Sequence, residues 1–231
     1  MTITLYQFAT SPFTEKVRRA LNYKGLAFDV HDVDRMKARS GGYGEVSESG
    51  KFPAIVDDGT VVLDSTDIMY HLEAAYPEPP LVPEDAHDHA LAHAIEEWAD
   101  ESLYFYEMTM RLTWENNLEA ALDEFAETLP GVPKPQLKEL IRTATGEIVT
   151  AQGIGRKSRS RVVADATRHF EMLEKLLQGR DWLVGDHASF ADFAVIGQLN
   201  ALLYAEEARA AAEGKQAIAD WMARLDEVAP K

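Results

Sequence analysis

Apolar and polar positions alternate at the start of the chain, where Ile3 and Leu5 share one side of a strand. Ser11-Pro12 then sets an N-cap with proline in the first helical turn, and Phe13, Val17, Ala20 and Leu21 fall on one face of a helix that Gly25 ends. A second strand fits residues 28–33, and a polar, glycine-rich loop covers 40–50. Pro53-Ala54-Ile55-Val56 and Val61-Val62-Leu63, joined by Asp57-Asp58-Gly59, predict a hairpin. Asp64-Ser65 can cap another helix, with Ile68, Met69 and Leu72 facing inward and a stop before Tyr76-Pro77. The predicted order is β-α-β-β-β-α.

Residues 77–86 contain Pro77, Pro79, Pro80 and Pro83 and predict a stiff connector, because proline removes backbone donors and discourages helix before it. Every longer pattern beyond it is helical. The sequence therefore divides into an α/β domain at 1–76, a linker at 77–86 and an all-α domain at 87–231. Helices are expected at about 85–117, 136–150, 161–178, 190–212 and 216–228, with a loop at 129–135. Ser189 and Asp192 have capping-box spacing, and Ala188 and Phe193 stand where a hydrophobic staple belongs.

Composition narrows the chemistry. With 231 residues the chain can fill two cores, and a hydrophobic fraction of 46% beside 27% charged residues is ordinary for a globular protein. No apolar run reaches the roughly 20 residues that a membrane helix needs, and the start MTITLYQF has no basic and apolar leader pattern, so a cytoplasmic protein is expected. The net charge of −16 argues against a general nucleic-acid binder. The acidity is concentrated C-terminally, with 8 basic and 11 acidic residues before position 77 but 15 and 28 after it. Zero cysteines exclude disulfides, zinc-thiolate sites and a cysteine nucleophile, so thiol chemistry must use a thiol from outside.

Three signals in this order resemble the glutathione transferase superfamily over essentially the whole chain. Ser11-Pro12-Phe13-Thr14 is similar to the serine-first or cysteine-first site of the tau and omega classes, Phe52-Pro53 to the family's cis-proline entrance to strand three, and Asp64-Ser65 to its acid-serine pair. The Ser189 to Asp192 box resembles the folding motif of the helical domain. A narrower resemblance, to the metaxin-like and failed-axon-connections branch, rests on Glu101-Ser102-Leu103-Tyr104 and Gln152-Gly153-Ile154-Gly155-Arg156, although Thr14 replaces the cysteine common there. The resemblance implies a thioredoxin-like N-terminal domain followed by an all-helical C-terminal domain. It also implies glutathione as co-substrate, a small hydrophobic electrophile as second substrate, a detoxifying conjugation without metal, and a homodimer. A noncatalytic module that binds a partner protein, or a glutathione-dependent isomerase or dehalogenase, uses the same fold.

A free thiol near pKa 8.5 is mostly protonated at neutral pH, so a transferase must stabilise the thiolate (about 8.5 is the unperturbed cysteine value). Ser11 is positioned to donate to the sulfur, aided by the dipole of the following helix, or else simply to cap that helix. Tyr6 is the runner-up donor, its alternative being an aromatic packed between domains. Thr14 cannot resolve a disulfide, which excludes a dithiol oxidoreductase. The resemblance implies a cis Phe52-Pro53 bond, which lets Phe52 pair by its backbone with the cysteinyl part of glutathione. Ser65, at a helix N-terminus, can bind the γ-glutamyl carboxylate with Asp64 open to the ammonium group, or else simply cap that helix, and Lys51 either contacts the glycyl carboxylate or is an exposed lysine before a strand. The second-substrate cleft is expected at Tyr104, Tyr106, Arg111 and Trp114, with Arg111 either orienting an anionic substrate or pairing with nearby acids. The basic run 156–161 and the pair His89 and His93 read as solvated helical surface, with an anion or partner contact and a metal as their respective alternatives.

Overall fold

The structure is a computed structural model and describes residues 2–129 and 131–231. Strands β1 (Ile3–Gln7), β2 (Phe28–Asp32), β3 (Ala54–Asp57) and β4 (Thr60–Leu63) form one sheet in the order β2-β1-β3-β4. β1 runs parallel to β2 and antiparallel to β3, and β3 and β4 form the expected hairpin. Between β1 and β2 lies α1 (Pro12–Tyr23), and α3 (Ser65–Ala75) follows β4. Val17, Ala20 and Leu21 of α1 and Ile68, Met69 and Leu72 of α3 are buried, as their spacing requires.

An added helix, α2 (Arg35–Arg39), fills the expected gap between β2 and the glycine-rich loop. Asp34 starts it by accepting from the N–H groups of Met36 (2.8 Å) and Lys37 (3.0 Å). The linker is held from within the first domain: buried Lys24 donates to the carbonyls of Tyr76 (2.5 Å) and Pro79 (2.8 Å) and pairs with Glu73 (3.1 Å).

The remainder is helical: α4 (Ala86–Trp98), a π-helical turn (Ala99–Leu103), α5 (Tyr104–Leu112), α6 (Glu115–Thr128), α7 (Lys134–Gln152), α8 (Arg159–Leu177), α9 (Phe190–Leu202), α10 (Glu206–Ala212) and α11 (Gln216–Val228). The single helix expected at 85–117 is thus three pieces. It stops at Trp114, which is extended and buried, and Asn117 turns its amide back to the Met110 carbonyl (2.9 Å). The chain resumes as α6, and the expected loop at 129–135 shortens; Pro130 within it lies outside the described residues. The helix expected at 190–212 breaks after Leu202, where Arg209 gathers the carbonyls of Leu203 and Tyr204, both at 2.8 Å.

α9 is apolar all round because it is buried on all sides, with α1 against it. Its capping box is present, and Asp192 also accepts from Leu183 N–H (3.0 Å) and the Trp221 indole (2.8 Å). No described helix is long and apolar enough to cross a membrane.

Candidate active site

At the end of β1 the chain turns into α1 through Ser11, whose extended backbone (φ −83°, ψ 129°) makes it the N-cap. Its N–H donates to the Phe8 carbonyl (2.9 Å), and its own carbonyl accepts the first helical bond from Glu15 (3.1 Å). Its hydroxyl makes no capping bond. The N–H groups of Phe13 and Thr14 precede that first bond and lie at the positive end of the helix dipole.

Ser11 opens on a cleft of about 910 Å³ whose walls carry Lys51, Phe52, Pro53, Asp64 and Ser65 on the sheet side and Tyr104 and Arg111 on the helical side. Sequence-distant candidates therefore meet at one place. The Phe52–Pro53 bond is cis, and the buried Phe52 ring stands edge-on to Phe8 (5.4 Å) and Tyr43 (5.8 Å). Asp64 caps α3 from the left-handed region (φ 70°), a conformation uncommon for a residue with a side chain, and accepts from Thr66 N–H at 2.9 Å. The Lys51 side chain is exposed at the cleft.

Ser65 is buried, and its Oγ accepts from Lys16 Nζ at 3.2 Å. Lys16 is a buried cation of α1 that the apolar spacing of that helix did not reveal. It also donates to Thr66 Oγ1 (3.2 Å) and Asp100 Oδ2 (2.9 Å) and pairs with Glu96, which accepts from the Thr66 hydroxyl as well. Glu96 and Asp100, acids four apart, were the available sign of a cation opposite. Asp100 reaches the cleft, and burial, only partly offset by Lys16, pushes its carboxyl up to about 6.

Tyr104 lines the cleft edge-on to Phe13 (4.9 Å), and burial, with Glu107 adding to it, raises its pKa so that the hydroxyl stays protonated. Arg111 lines the cleft too, but its guanidinium is already paired with Glu107 (3.2 Å) and Glu124 (2.8 Å), so the anion-orienting role gives way to the simpler one. Tyr106 and Trp114 do not line the cleft. Two residues from Tyr104 turn a helix by about 200°, which sends Tyr106 against His169 (4.8 Å). Trp114 lies past the end of α5, beneath the Arg159 guanidinium (4.3 Å). Tyr6 is also outside the cleft. Strand alternation puts it on the other face from buried Leu5 and Gln7, with its ring 4.7 Å from that of its β2 partner His31, so it is not an aromatic packed between domains.

Arg35, at the start of α2, is a cleft residue that carried no sequence signal. Its Nη2 donates to Thr10 Oγ1 (2.9 Å), and its guanidinium lies 4.1 Å from the Phe8 ring centre and 5.9 Å from that of Phe125 in α6.

The remaining candidates have local accounts. Gly153, with φ 115°, ends α7, and a Cβ on Gly155 would meet Thr150 N at 2.9 Å, so the Gln152 to Arg156 motif serves a close turn. In the basic run, Lys157 (2.9 Å) and Arg161 (3.0 Å) pair with Asp165, and Arg159 with Glu207 (2.6 Å). Asp85, His87 and Asp88, and separately His93, Glu96 and Glu97, group potential metal ligands within 4.8 Å. Glu96 is already engaged by Lys16, and His89 faces Tyr70 (3.3 Å) rather than His93.

The model of the glutathione S-transferase N-terminal domain matches residues 5–80, and that of the C-terminal domain matches 145–227. Glutathione S-transferase Z2 of Arabidopsis thaliana is 35% identical over 91 residues, which are 38% of this chain and 41% of that protein; the match thus spans about two fifths of such relatives. FtsZ-localized protein A of Caulobacter vibrioides is 26% identical over 87% of this chain and 77% of its own. The solved glutathione transferase GSTFuA3 of Phanerochaete chrysosporium superposes with a TM-score of 0.74 at 20% identity, covering 99% of this chain and 97% of that one. With a four-stranded mixed sheet, an all-helical second part and both domain models matched, the chain belongs to the glutathione transferase superfamily.

Proposed function

We propose that the protein is a glutathione S-transferase in which Ser11 donates its hydroxyl hydrogen to the glutathione sulfur and stabilises the thiolate. The observation that carries this reading is the Ser11 hydroxyl, which makes no capping bond although its residue is the N-cap of α1, and which opens on the cleft shared by Phe52, Pro53 and Ser65. The thiolate attacks an electrophilic carbon, the sulfur–carbon bond forms, and the leaving group departs with its electron pair. Phe52 and Pro53 pair with the cysteinyl backbone, Ser65 with the γ-glutamyl carboxylate, Asp64 with the ammonium and Lys51 with the glycyl carboxylate. Tyr104 supplies part of the second wall. A cytoplasmic homodimer belongs to the same reading.

The test is Ser11→Ala. The apparent pKa of bound glutathione should move up toward its free value, and conjugation of a benzyl halide should fall about 10- to 100-fold, the worth of one hydrogen bond to a charged group. If Tyr6→Phe has that effect and Ser11→Ala does not, the donor is misassigned.

A noncatalytic module that binds a partner protein is favoured by one contact: the Ser65 hydroxyl already accepts from Lys16. One relative matched over most of both chains, moreover, is named for its place with FtsZ rather than for a reaction. Calorimetry with glutathione separates the two, since only the transferase reading requires binding that Ser65→Ala weakens.

A further inference from the structure

Arg35 and Arg111 line the same cleft but are satisfied differently. Arg111 is enclosed between two carboxylates. Arg35 has none: among the described residues no acid lies within ion-pair distance of it, its only hydrogen-bond partner is the Thr10 hydroxyl, and its buried Nε has no partner. Two aromatic rings, Phe8 and Phe125, flank its guanidinium. A largely desolvated cation without a counter-charge is costly, and a guanidinium presents a planar fork of donors that matches a carboxylate. Its neighbours also place it. Thr10 adjoins Ser11, and Phe125 belongs to the helical wall, so the guanidinium lies in the cleft between the Ser11 turn and that wall.

We propose that Arg35 is an anion subsite for the second substrate, which is therefore an aryl or alkyl electrophile carrying a carboxylate, held by the Arg35 fork with its apolar body between Phe8 and Phe125. This rests on the transferase reading above and makes it narrower: the missing counter-ion of the cleft arrives with the electrophile. Glutathione carries carboxylates of its own, for which the same cleft offers two further cations, Lys51 beside Phe52 and Arg39 of α2.

The experiment measures the affinity of glutathione, S-(4-carboxybenzyl)glutathione and S-(4-carbamoylbenzyl)glutathione by calorimetry, with wild type and Arg35→Met. The wild type should bind the carboxy adduct at least about 10-fold more tightly than the amide, as expected for a paired fork, and Arg35→Met should abolish that preference while glutathione itself binds unchanged. Because the substitution removes an unpaired, half-buried charge and keeps the apolar stem contacts, the ligand-free variant should melt at or above the wild-type temperature, which shows that it folds. Equal wild-type affinity for the two adducts overturns the proposal. So does an equal loss for glutathione and both adducts in the variant, which would assign the fork to the glycyl carboxylate. Failure of wild type to bind glutathione is a different failure, that of the transferase reading; in that case 4-methylbenzoate against 4-methylbenzamide still tests the subsite, and equal binding of the two overturns it.

Discussion

Asp100 shows how a single residue of the cleft can set a pH response. Its carboxyl titrates near 6 in the fold, against an ordinary aspartate value of 3.8, mainly because it is buried, with Lys16 pulling the other way. Between those values the folded chain holds a proton that the unfolded chain has released, so this group makes stability fall as pH rises from about 4 to about 6 and leaves it level above. The ionised form also adds a second negative charge to the cleft in which Asp64 is proposed to receive the ammonium of glutathione. Asp100→Asn should therefore flatten the stability profile across that window, and should remove the gain in glutathione affinity that wild type shows on passing from pH 5 to 7. A wild-type affinity that is flat over this range would contradict that electrostatic contribution of Asp100. Little of this was legible in the sequence. Ser11, Phe52 and Ser65 stand in local motifs and could be read from them, whereas Lys16, Arg35 and Asp100 acquire their roles only from partners 25 or more residues away.

Elements were far more legible, because hydrophobic periodicity and capping chemistry act within a few residues. The hairpin, α1, α3, α11 and the Ser189 to Asp192 box all stand where the pattern put them. What periodicity missed are interruptions decided by tertiary contacts. Trp114 breaks a helical run by being buried, and α2 exists through its Asp34 cap. Gly197, inside α9, explains why a glycine is kept where alanine is the better helix former. A Cβ there would sit 2.6 Å from the Pro12 carbonyl oxygen and 3.6 Å from Lys16 N, so α1 can approach only a bare backbone. Gly197→Ala should cost about 1–3 kcal/mol as an overpacking change and displace the turn that carries Ser11, visible as a lower denaturation midpoint and weaker glutathione binding. Gly146→Ala in α7, where an added Cβ meets nothing within 4 Å, is the control and should be neutral or stabilising by up to about 1 kcal/mol.

At the scale of the molecule, the two sequence-defined halves share one core. A single apolar cluster runs from Ile3 and Leu5 through Val17 and Leu21 to Phe193, Trp221 and Ala229. Polar ties cross the same boundary: Arg19 of α1 donates to the Ala229 carbonyl (2.7 Å), Asn200 to Glu15 (2.5 Å), and Lys16 meets both Glu96 and Asp100. A connector rich in proline suggests separable domains, but it says nothing about the area buried across the joint. Lys16→Met tests how far the halves depend on each other. The substitution keeps the apolar stem and leaves Glu96, wholly buried, and Asp100 without their cation, a loss of about 3–5 kcal/mol for a broken buried pair. If the halves fold as one unit, circular dichroism and tryptophan fluorescence will report a single transition displaced to lower denaturant, and adding Glu96→Gln and Asp100→Asn will restore most of the loss by removing the orphaned charges. Two transitions, only one of them sensitive to Lys16, would mean that the α/β half and the helical half are stable separately and that the cleft between them is free to open.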